Sequence, residues 1–515
     1  MRRHRHRSGL HHRGPGAGLH QGQLFLSSGV HAPPEKGGTR LPKDNILLIT
    51  TDQQRFDTIQ ALGNTSIYTP HLNYLYTQGT AYTRCYADCP LCVPSRTTLM
   101  TGQPGYASGV VTNATHEQVM RQATAERRTL AALLTDAGYQ TKAMGKMHFD
   151  PVRACYGFES MTLPIDYLRE CEKRGTVRPK VHGAMECELV PALSTVDTKD
   201  SITTWIADGS IDFLETRDPL RPFFLWTSFT KPHPPFDPCR DFWDLYDGIP
   251  MPEPIYGDWS RDLAAAPQGF LAGSYENTDV HLYSPQQLAN TRRAYYAMIT
   301  QVDYALGRLF ACLRENGLDQ NTWVIFTSDH GEMLGDHHMS QKNLFFEGSA
   351  HVPCLILPPR GRGLPVNRRV DTLAQLSDIY TTILGIAGVP APPQAEGIDL
   401  RDAYAERTFY GNSLDVNFCV MRDGFKLVYS ACGDHTLLFD MRRDPLEQQD
   451  LAKLPAYADI RRELWEDLLI HTARTRPQAL ENGYFRTRPA PEFPGDVDFR
   501  WLGFHYKDYR FDVFH

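Results

Sequence analysis

The segment CPLCVPSRTTLMTGQ, residues 89–103, contains the residues that point most directly to chemistry. Cys89 and Cys92 form a CxxC pair, a spacing typical of redox or zinc sites, but a second CxxC is absent and the surrounding sequence is not thioredoxin-like. In the alternative interpretation, Pro94 lies in the first turn of a helix and Arg96 follows Cys92 by one turn on the same face. Because helix amino termini attract anions, this interpretation places a nucleophile at position 92 beside a bound anion.

Two aspartates are predicted to share one cation. Asp52 and Asp329 each fall just past the carboxyl end of a predicted strand, where open α/β sheets bind their ligands. Gln53 and His330 stand beside them. This oxygen-dominated set favours a hard ion such as calcium or magnesium over zinc.

Lys146 and His148 would place a fixed cation and a titratable imidazole on one face of the site. They are two residues apart at the end of the strand predicted in YQTKAMGKMHF, so their side chains are expected to project to the same side.

The elements that would position these residues alternate between strands and helices. The runs NILLITTDQQR, PFFLWTSF and TWVIFTSDHGE read as buried parallel strands ending in polar loops. Helices are predicted in AERRTLAALLTDAGY, closed by Gly138, in residues 285–316, in AQLSDIYTTILGIAGV and at about 455–474. In residues 285–316 the apolar residues at helical spacing are expected in the core: Tyr295, Ile299, Val302, Leu306, Leu309 and Leu313.

This alternation predicts an α/β fold with a large, mostly parallel central sheet flanked by helices. Beyond residue 390, turns at Asp423-Gly424 and Gly433-Asp434 predict a smaller α+β subdomain with a short antiparallel sheet. The predicted organisation is a disordered tail at 1–43, a catalytic domain at 44–390, and a C-terminal subdomain with an aromatic tail at 391–515. That tail is expected to pack on its own domain, or alternatively to support a homo-oligomer.

Composition and charge restrict the classes of partner and the location that are expected for this chain. The net charge of −7 over 515 residues offers no basic stripe for nucleic acid. No apolar run approaches the roughly 20 residues that cross a bilayer, so no membrane span is expected. Eleven cysteines without framework spacing favour a reducing compartment, and the predicted location is cytoplasmic.

CVPSR followed by TTLMTGQ resembles the signature of type I sulfatases, in which the cysteine is oxidised to formylglycine (3-oxoalanine). TTDQQR, TPHLNYLYTQGTAYTRCY, GKMHF, KPHPPF, SDHGEMLGDH and QKNLFFEGSAHVP also resemble sulfatase motifs and occur in the family's order. GKMHF and PLCVPSR resemble the arylsulfatase and choline-sulfatase type. The resemblance implies an alkaline-phosphatase-like sandwich and a sulfuric ester hydrolase acting on small-molecule or carbohydrate sulfate esters.

The resemblance also implies roles for individual residues. A formylglycine-generating maturation enzyme would modify Cys92, and one Ca²⁺, or in its place Mg²⁺ or Mn²⁺, would be bound by Asp52, Gln53, Asp329, His330 and the modified residue 92. Arg96 and Lys146 would anchor the formylglycine hydrate, which Asp329 would activate. His148 would take a proton when sulfate is expelled. His233 and Lys342 would bind the sulfate and assist departure of the leaving group.

The chain departs from many relatives at three positions. Gln53 replaces an Asp, His351 replaces an Arg, and His338 replaces a Gly. His351 and His338 are interpreted as pocket or structural variation, while Lys231 and His337 are expected at the surface or behind the site.

Three rival functions remain at this stage. A formylglycine-dependent phosphonate monoester or phosphodiester hydrolase shares the fold and the Asp-Gln pair. A metal-dependent alkaline phosphatase is disfavoured because position 92 is Cys and ligands for a second metal are not recognised. A catalytically silent binding module is disfavoured because every expected charged position is filled. The leaving group is open between a sugar, choline and an aryl alcohol, with specificity expected in loops at 160–200 and 236–285.

Overall fold

A computed structural model describes residues 43–490, apart from residues 115, 176, 178, 180–188, 276–279, 361, 363 and 403–404. From Lys43 onward the chain forms one compact unit. The predicted disordered tail, except Lys43, and the terminal FHYKDYRFDVFH lie outside the described residues.

The strands of the described chain form one large sheet and three small ones. Their bounds are β1 Asn45–Asp52, β2 Thr80–Tyr82, β3 Cys85–Tyr86, β4 Gln140–Gly145, β5 Ser160–Thr162, β6 Phe223–Pro232, β7 Thr322–Ser328, β8 His351–Val352, β9 Cys354–Leu357, β10 Arg368–Val370, β11 Ala374–Gln375, β12 Phe409–Ser413, β13 Asn417–Arg422, β14 Phe425–Ser430, β15 His435–Asp440, β16 Leu480–Glu481 and β17 Tyr484–Phe485. The large sheet has the order β10-β2-β9-β7-β1-β6-β4-β5. Its strands pair in parallel except at β9, which runs antiparallel to β2 and β7.

Helices cover both faces of the large sheet. Their bounds are α1 Pro70–Gln78, α2 Cys92–Thr101, α3 Gly105–Ser108, α4 His116–Ala125, α5 Leu130–Asp136, α6 Pro164–Arg174, α7 Ile202–Thr216, α8 Arg240–Asp244, α9 Gln268–Tyr275, α10 Pro285–Glu315, α11 Glu347–Ala350, α12 Leu376–Ala387 and α13 Ala458–Thr475. Ile46 and Leu48 of β1 belong to a core with α2, α5 and α12, whereas Leu47 and Ile49 belong to a second core with α1, α7 and α10. Every residue of β1 is therefore buried, as a central parallel strand requires.

Helix α10 confirms the prediction for residues 285–316. Ser284 Oγ accepts a hydrogen bond from the Gln287 amide, and the Gln287 side chain accepts one from the Ser284 amide at 2.8 Å. This capping box explains the start of the helix. The six predicted core residues of α10 are all buried.

The helix predicted in AERRTLAALLTDAGY is wrong at its start. Helix α4 ends at Ala125 and α5 begins only at Leu130. Arg127 has a φ of 54°, which ends a right-handed helix, and Thr129 caps the next one by accepting from the Ala132 amide at 3.4 Å. The predicted stop at Gly138 is confirmed, since its φ is 90°.

The C-terminal hairpins are confirmed. Strands β12 to β15 form an antiparallel sheet in sequence order, with positive φ at the two residues of each predicted turn. Phe409, Val428 and Phe439 of this sheet pack with Phe345 and Phe346 in one buried cluster. The division of the chain near residue 390 stays a prediction.

Candidate active site

The predicted site residues converge at one edge of the large sheet. Strands β7, β1, β6 and β4 are parallel neighbours, so their carboxyl ends meet at this edge. Asp52 ends β1, Asp329 follows β7, Lys146 follows β4, and His233 follows β6.

Cys92 is the first residue of α2 and points into this edge. All ten residues of α2 are buried, and the Ser95 hydroxyl donates to the Cys89 carbonyl at 2.9 Å, which fixes the turn before the helix. Cys92 Sγ lies 3.2 Å from His330 Nε2 and 3.8 Å from Asp52 Oδ1. Cys89 instead lies against the Val111 carbonyl, with a separation of 3.7 Å. The two cysteines of the CxxC pair therefore have different surroundings, as the nucleophile interpretation requires.

Four side chains can surround one metal ion. Ligand atoms of Asp52, Cys92, Asp329 and His330 all lie within 4.8 Å of one another. His330 Nδ1 lies 2.9 Å from the Gly331 carbonyl, which makes Nδ1 the protonated nitrogen and leaves the Nε2 lone pair facing the cluster. Two carboxylates, one imidazole and an oxygen at position 92 suit a hard divalent cation.

Arg96 donates hydrogen bonds to both aspartates. Its guanidinium donates to Asp329 Oδ2 at 2.9 Å and to Asp52 Oδ2 at 3.2 Å, while the Oδ1 atoms face His330 Nε2 at 3.7 and 3.9 Å. Arg96 also donates to the Ser228 hydroxyl and the Lys146 carbonyl, at 2.9 and 2.5 Å. In this structure Arg96 positions the carboxylates, so its predicted contact with a formylglycine hydrate stays a prediction.

Lys146 and His148 lie at the site, but the backbone that directs their side chains is not the predicted strand. Strand β4 ends at Gly145, and His148 has a φ of 62°, so strand alternation does not set their directions. The Lys146 ammonium forms an ion pair with Asp52 Oδ2. His148 is exposed, and it is one of the groups that lower the pKa of the Cys92 thiol.

Gln53 is oriented by two residues that the sequence did not reveal. Its Nε2 donates to Glu332 Oε2 and lies 3.4 Å from Gln341 Oε1, so its own Oε1 faces the site. Lys342 Nζ donates to this oxygen at 2.6 Å. The only signal for Glu332 in the sequence is its place in SDHGE, three residues after Asp329. Coordination of a metal by Gln53 stays a prediction.

His233 faces the same pocket as Lys342. Its Nδ1 lies 2.7 Å from the Pro234 carbonyl, which leaves Nε2 as an acceptor 3.4 Å from Lys342 Nζ. Burial and the charges of Lys146 and Lys342 lower the pKa of His233 to about 4. His233 is therefore a neutral imidazole near pH 7.

The site stabilises negative charge at position 92. Burial alone would raise the pKa of the Cys92 thiol, but Lys146, Lys342 and His330 hold this pKa well below its ordinary value. Burial and Cys92 would likewise raise the pKa of Asp52, yet the charges of Lys146 and Arg96 keep it below the ordinary value. An anion at position 92 is thus met by several cations.

Four residues set aside by the sequence argument lie outside this cluster. Lys231 forms an ion pair with Asp237 and donates to the carbonyl of His233 at 3.3 Å. His337 is buried against Trp259 and bonds to Ser260, contrary to a surface position. His351 stacks on Phe56 and bonds to Glu347, and His338 packs against Tyr256, so both are structural variations.

The fold and the site together are those of a hydrolase of the alkaline-phosphatase-like α/β type, with a group of side chains that could hold a metal ion beside a buried cysteine. The family profile described as Sulfatase matches residues 44–389. An arylsulfatase of Clostridium perfringens is 31% identical over 483 residues, covering 86% of this chain and 96% of the relative. A choline-sulfatase of Rhizobium meliloti is 28% identical, covering 86% and 92%. The solved phosphonate monoester hydrolase of Agrobacterium radiobacter superposes with a TM-score of 0.67 at 25% identity, covering 85% and 96%.

The chain belongs to the sulfatase family. The predicted family, fold class and enzyme class, sulfuric ester hydrolase, are thereby confirmed. Among the described residues no helix has the length and apolar character of a membrane span.

Proposed function

We propose that this chain hydrolyses sulfate monoesters with a formylglycine made from Cys92 and one divalent cation, calcium in the first instance. One observation carries the proposal: Cys92 Sγ occupies the centre of a buried group in which Asp52, Asp329 and His330 all lie within 4.8 Å of one another and of the sulfur. The structure holds the encoded thiol at position 92, and its Sγ marks where the hydroxyls of a formylglycine hydrate would lie.

The cation would be held by Asp52 Oδ1, Asp329 Oδ1, His330 Nε2, Gln53 Oε1 and a hydroxyl at position 92. When bound, it would act as a Lewis acid on a nonbridging sulfate oxygen and favour the ionised nucleophile. The oxygen-rich set supports calcium, with Mg²⁺ or Mn²⁺ as alternatives.

Formylglycine hydrate would supply two hydroxyls on one carbon, one to attack sulfur and the other to expel the bound sulfate. Asp329 would take the proton of the attacking hydroxyl. Burial, followed by the neighbouring Asp52, raises the pKa of Asp329, which supports a role as base. His148, which helps to lower the pKa of the group at position 92, would take the second proton.

The sulfate would meet cations on its open side. Lys146 and Lys342 both act on the charge at position 92, and Lys342 lies 3.4 Å from His233 Nε2. Each charge-assisted hydrogen bond to sulfate would contribute on the order of 1.5 to 3 kcal/mol. His233 and Lys342 converge where the leaving oxygen would be protonated.

The test is sulfate release by protein produced together with a formylglycine-generating enzyme. Cys92→Ala should abolish turnover of 4-nitrophenyl sulfate, whereas Cys89→Ser, a change three residues away, should retain it. Chelation should also abolish turnover, and calcium should restore it. Equal activity of the wild type and Cys92→Ala would overturn the proposal.

A phosphonate monoester hydrolase is the second candidate, favoured by the likeness to the Agrobacterium radiobacter structure. Rates on 4-nitrophenyl sulfate and 4-nitrophenyl phenylphosphonate share one leaving group, so their ratio compares sulfur with phosphorus. A kcat/KM that is higher on the phosphonate would assign the chain to this second function.

Three further parts of the proposal concern partners, location and domains. A formylglycine-generating enzyme is the required partner, and the aromatic C-terminal tail is proposed to pack on its own domain or, alternatively, to support a homo-oligomer. A cytoplasmic location is supported by the ten described cysteines, all of which are free thiols. A boundary near residue 390 would separate the catalytic part from the C-terminal sheet.

A further inference from the structure

A cavity of 410 Å³ opens directly beside the candidate nucleophile. Lys146, His148 and His233 line one end of it, and they are also the accessible members of the site: His148 is exposed and the Lys146 side chain is 17% exposed. Asp52, Asp329 and Arg96, by contrast, are completely buried. A substrate therefore enters the site through this cavity, and whatever is attached to its sulfate must lie there.

Away from that end the cavity wall is apolar. The wall is formed by β5, the start of α6 and the loop before them, with these apolar side chains: Val152, Met161, Leu163, Ile165 and Leu168. Val152, Ile165 and Leu168 are 52%, 36% and 41% exposed and form an apolar rim at the mouth. Exposed apolar residues that cluster in this way mark a binding surface more often than scattered ones do.

The lining also contains neutral polar side chains, among them Ser194, Gln301 and the buried Thr230 hydroxyl, but most of its exposed surface is apolar and few of its charged groups are unpaired. Lys231 and Asp237 form an ion pair with each other, and Asp150 is solvent-exposed. The Tyr167 hydroxyl donates to the Asp200 carbonyl at 2.8 Å. Among the described lining residues, the remaining charges belong to the sulfate-binding end.

We propose that this cavity is the leaving-group site and that it takes a bulky, uncharged, apolar alcohol, such as a multi-ring phenol, in preference to a sugar or choline. This inference rests on the proposed function. Sugar hydroxyls placed against Met161, Leu163 and Leu168 would lose their hydrogen bonds to water without gaining partners. A quaternary ammonium would have to bind in a cavity that carries the Lys146 ammonium at its sulfate-binding end.

Matched substrates separate the candidate leaving groups. Cyclohexylmethyl sulfate, glucose 6-sulfate and choline sulfate are all esters of primary alcohols, and the first two share a six-membered ring. Biphenyl-4-yl sulfate and phenyl sulfate differ by one apolar ring. The kcat/KM of the wild type should be about tenfold or more higher on cyclohexylmethyl sulfate than on glucose 6-sulfate or choline sulfate. It should likewise be about tenfold or more higher on biphenyl-4-yl sulfate than on phenyl sulfate. A preference for glucose 6-sulfate or choline sulfate would overturn the inference while leaving the proposed function intact.

Variants at the rim test the location. The Ile165→Gln, Leu168→Gln double variant should lower the biphenyl-to-phenyl ratio of kcat/KM about tenfold, mainly through KM, with little change on phenyl sulfate. Ile470→Gln is the matched control, because Ile470 is a 52% exposed helical isoleucine away from the cavity, on α13. An unchanged ratio in the rim variant would contradict the assignment.

Binding of the product alcohol needs no turnover and keeps the two proposals separable. 4-Phenylphenol should bind the wild type more tightly than phenol, and the rim variant should lose this difference. If the protein released sulfate from none of these esters, the result would contradict the proposed function but not the leaving-group site. Equal binding of the two phenols by the wild type would contradict the leaving-group site.

Discussion

Arg96 donates to Oδ2 of Asp329 at 2.9 Å and so leaves Oδ1 of that carboxylate turned toward His330. The same guanidinium holds Oδ2 of Asp52 at 3.2 Å. One buried cation thus holds one oxygen of each carboxylate and leaves the Oδ1 atoms on the side of His330, where Oδ1 of Asp329 also accepts hydrogen bonds from the backbone amides of His330 and Gln53 at 2.9 and 3.0 Å. The planar guanidinium presents its donors in a fixed fork, a geometry that an ammonium does not have.

Arg96→Lys should therefore weaken metal binding. The expected loss of calcium affinity is about 10- to 100-fold, as for other residues that orient metal ligands. Calcium titration calorimetry on the chelator-treated protein measures it. Arg121→Lys, at a 56% exposed side chain paired only with Glu117, is the control. Unchanged affinity in Arg96→Lys would mean that Arg96 does not position the ligands.

Glu332→Gln should lower kcat because Gln53 loses the carboxylate that fixes its amide. The Gln53 oxygen now accepts from Lys342 at 2.6 Å, and a freed amide can turn its nitrogen to the site instead. We expect a fall in kcat of about 10-fold or more, with a smaller change in thermal stability. Glu117→Gln, on a half-exposed side chain, should leave kcat unchanged. Equal kcat in both variants would contradict this role.

The buried pair of Glu347 and Glu447 around Lys426 should make stability depend on pH. Burial, with the neighbouring Glu347 carboxylate and in spite of Lys426, raises the pKa of Glu447 from 4.5 to about 7. Between these values the folded protein binds more protons than the unfolded chain does. The stabilising contribution is therefore complete below pH 4.5 and is lost as the pH rises through 7.

Glu447→Gln removes this titration. Relative to the variant, the wild type should lose about 1 to 3 kcal/mol of unfolding free energy between pH 5 and pH 8. Urea unfolding midpoints at both pH values measure the difference. Glu463→Gln, at a 57% exposed side chain, should follow the wild type. Parallel pH dependence of the wild type and Glu447→Gln would contradict the raised pKa.

Removal of the metal should lower thermal stability as well as activity. Asp52 and Asp329 lie in one completely buried group, and a bound dication offsets their mutual repulsion. Calcium at 100 times its dissociation constant should add about 2.7 kcal/mol to the unfolding free energy. Differential scanning calorimetry with and without chelator measures the shift in Tm. Identical Tm values would contradict a metal site in this cluster.

Sequence patterns could locate Asp52 and Asp329 because each stands at the end of a buried, β-rich run, and parallel strands place the polar residues at their carboxyl ends on the ligand-binding edge. Cys92 and Arg96 could be paired because one helical turn separates them. Local periodicity supplies the spacing of these residues, and the resemblance to the sulfatase signature supplies their predicted roles.

The rest depends on tertiary contacts that no local pattern encodes. Glu332 and Gln341 meet Gln53 only because the loop after β7 folds back, with positive φ at Leu334, His337 and Gln341. Ser228 lies in β6, and its hydroxyl accepts a hydrogen bond from Arg96 across the sheet edge at 2.9 Å. Such contacts join residues more than a hundred positions apart.

The most direct test is the mass of the peptide that contains Cys92, measured on protein made with a formylglycine-generating enzyme, together with sulfate release by the same sample. We predict the mass of an aldehyde in place of the thiol at position 92, and turnover proportional to the converted fraction across preparations. Full turnover by protein whose Cys92 thiol is intact would contradict the account.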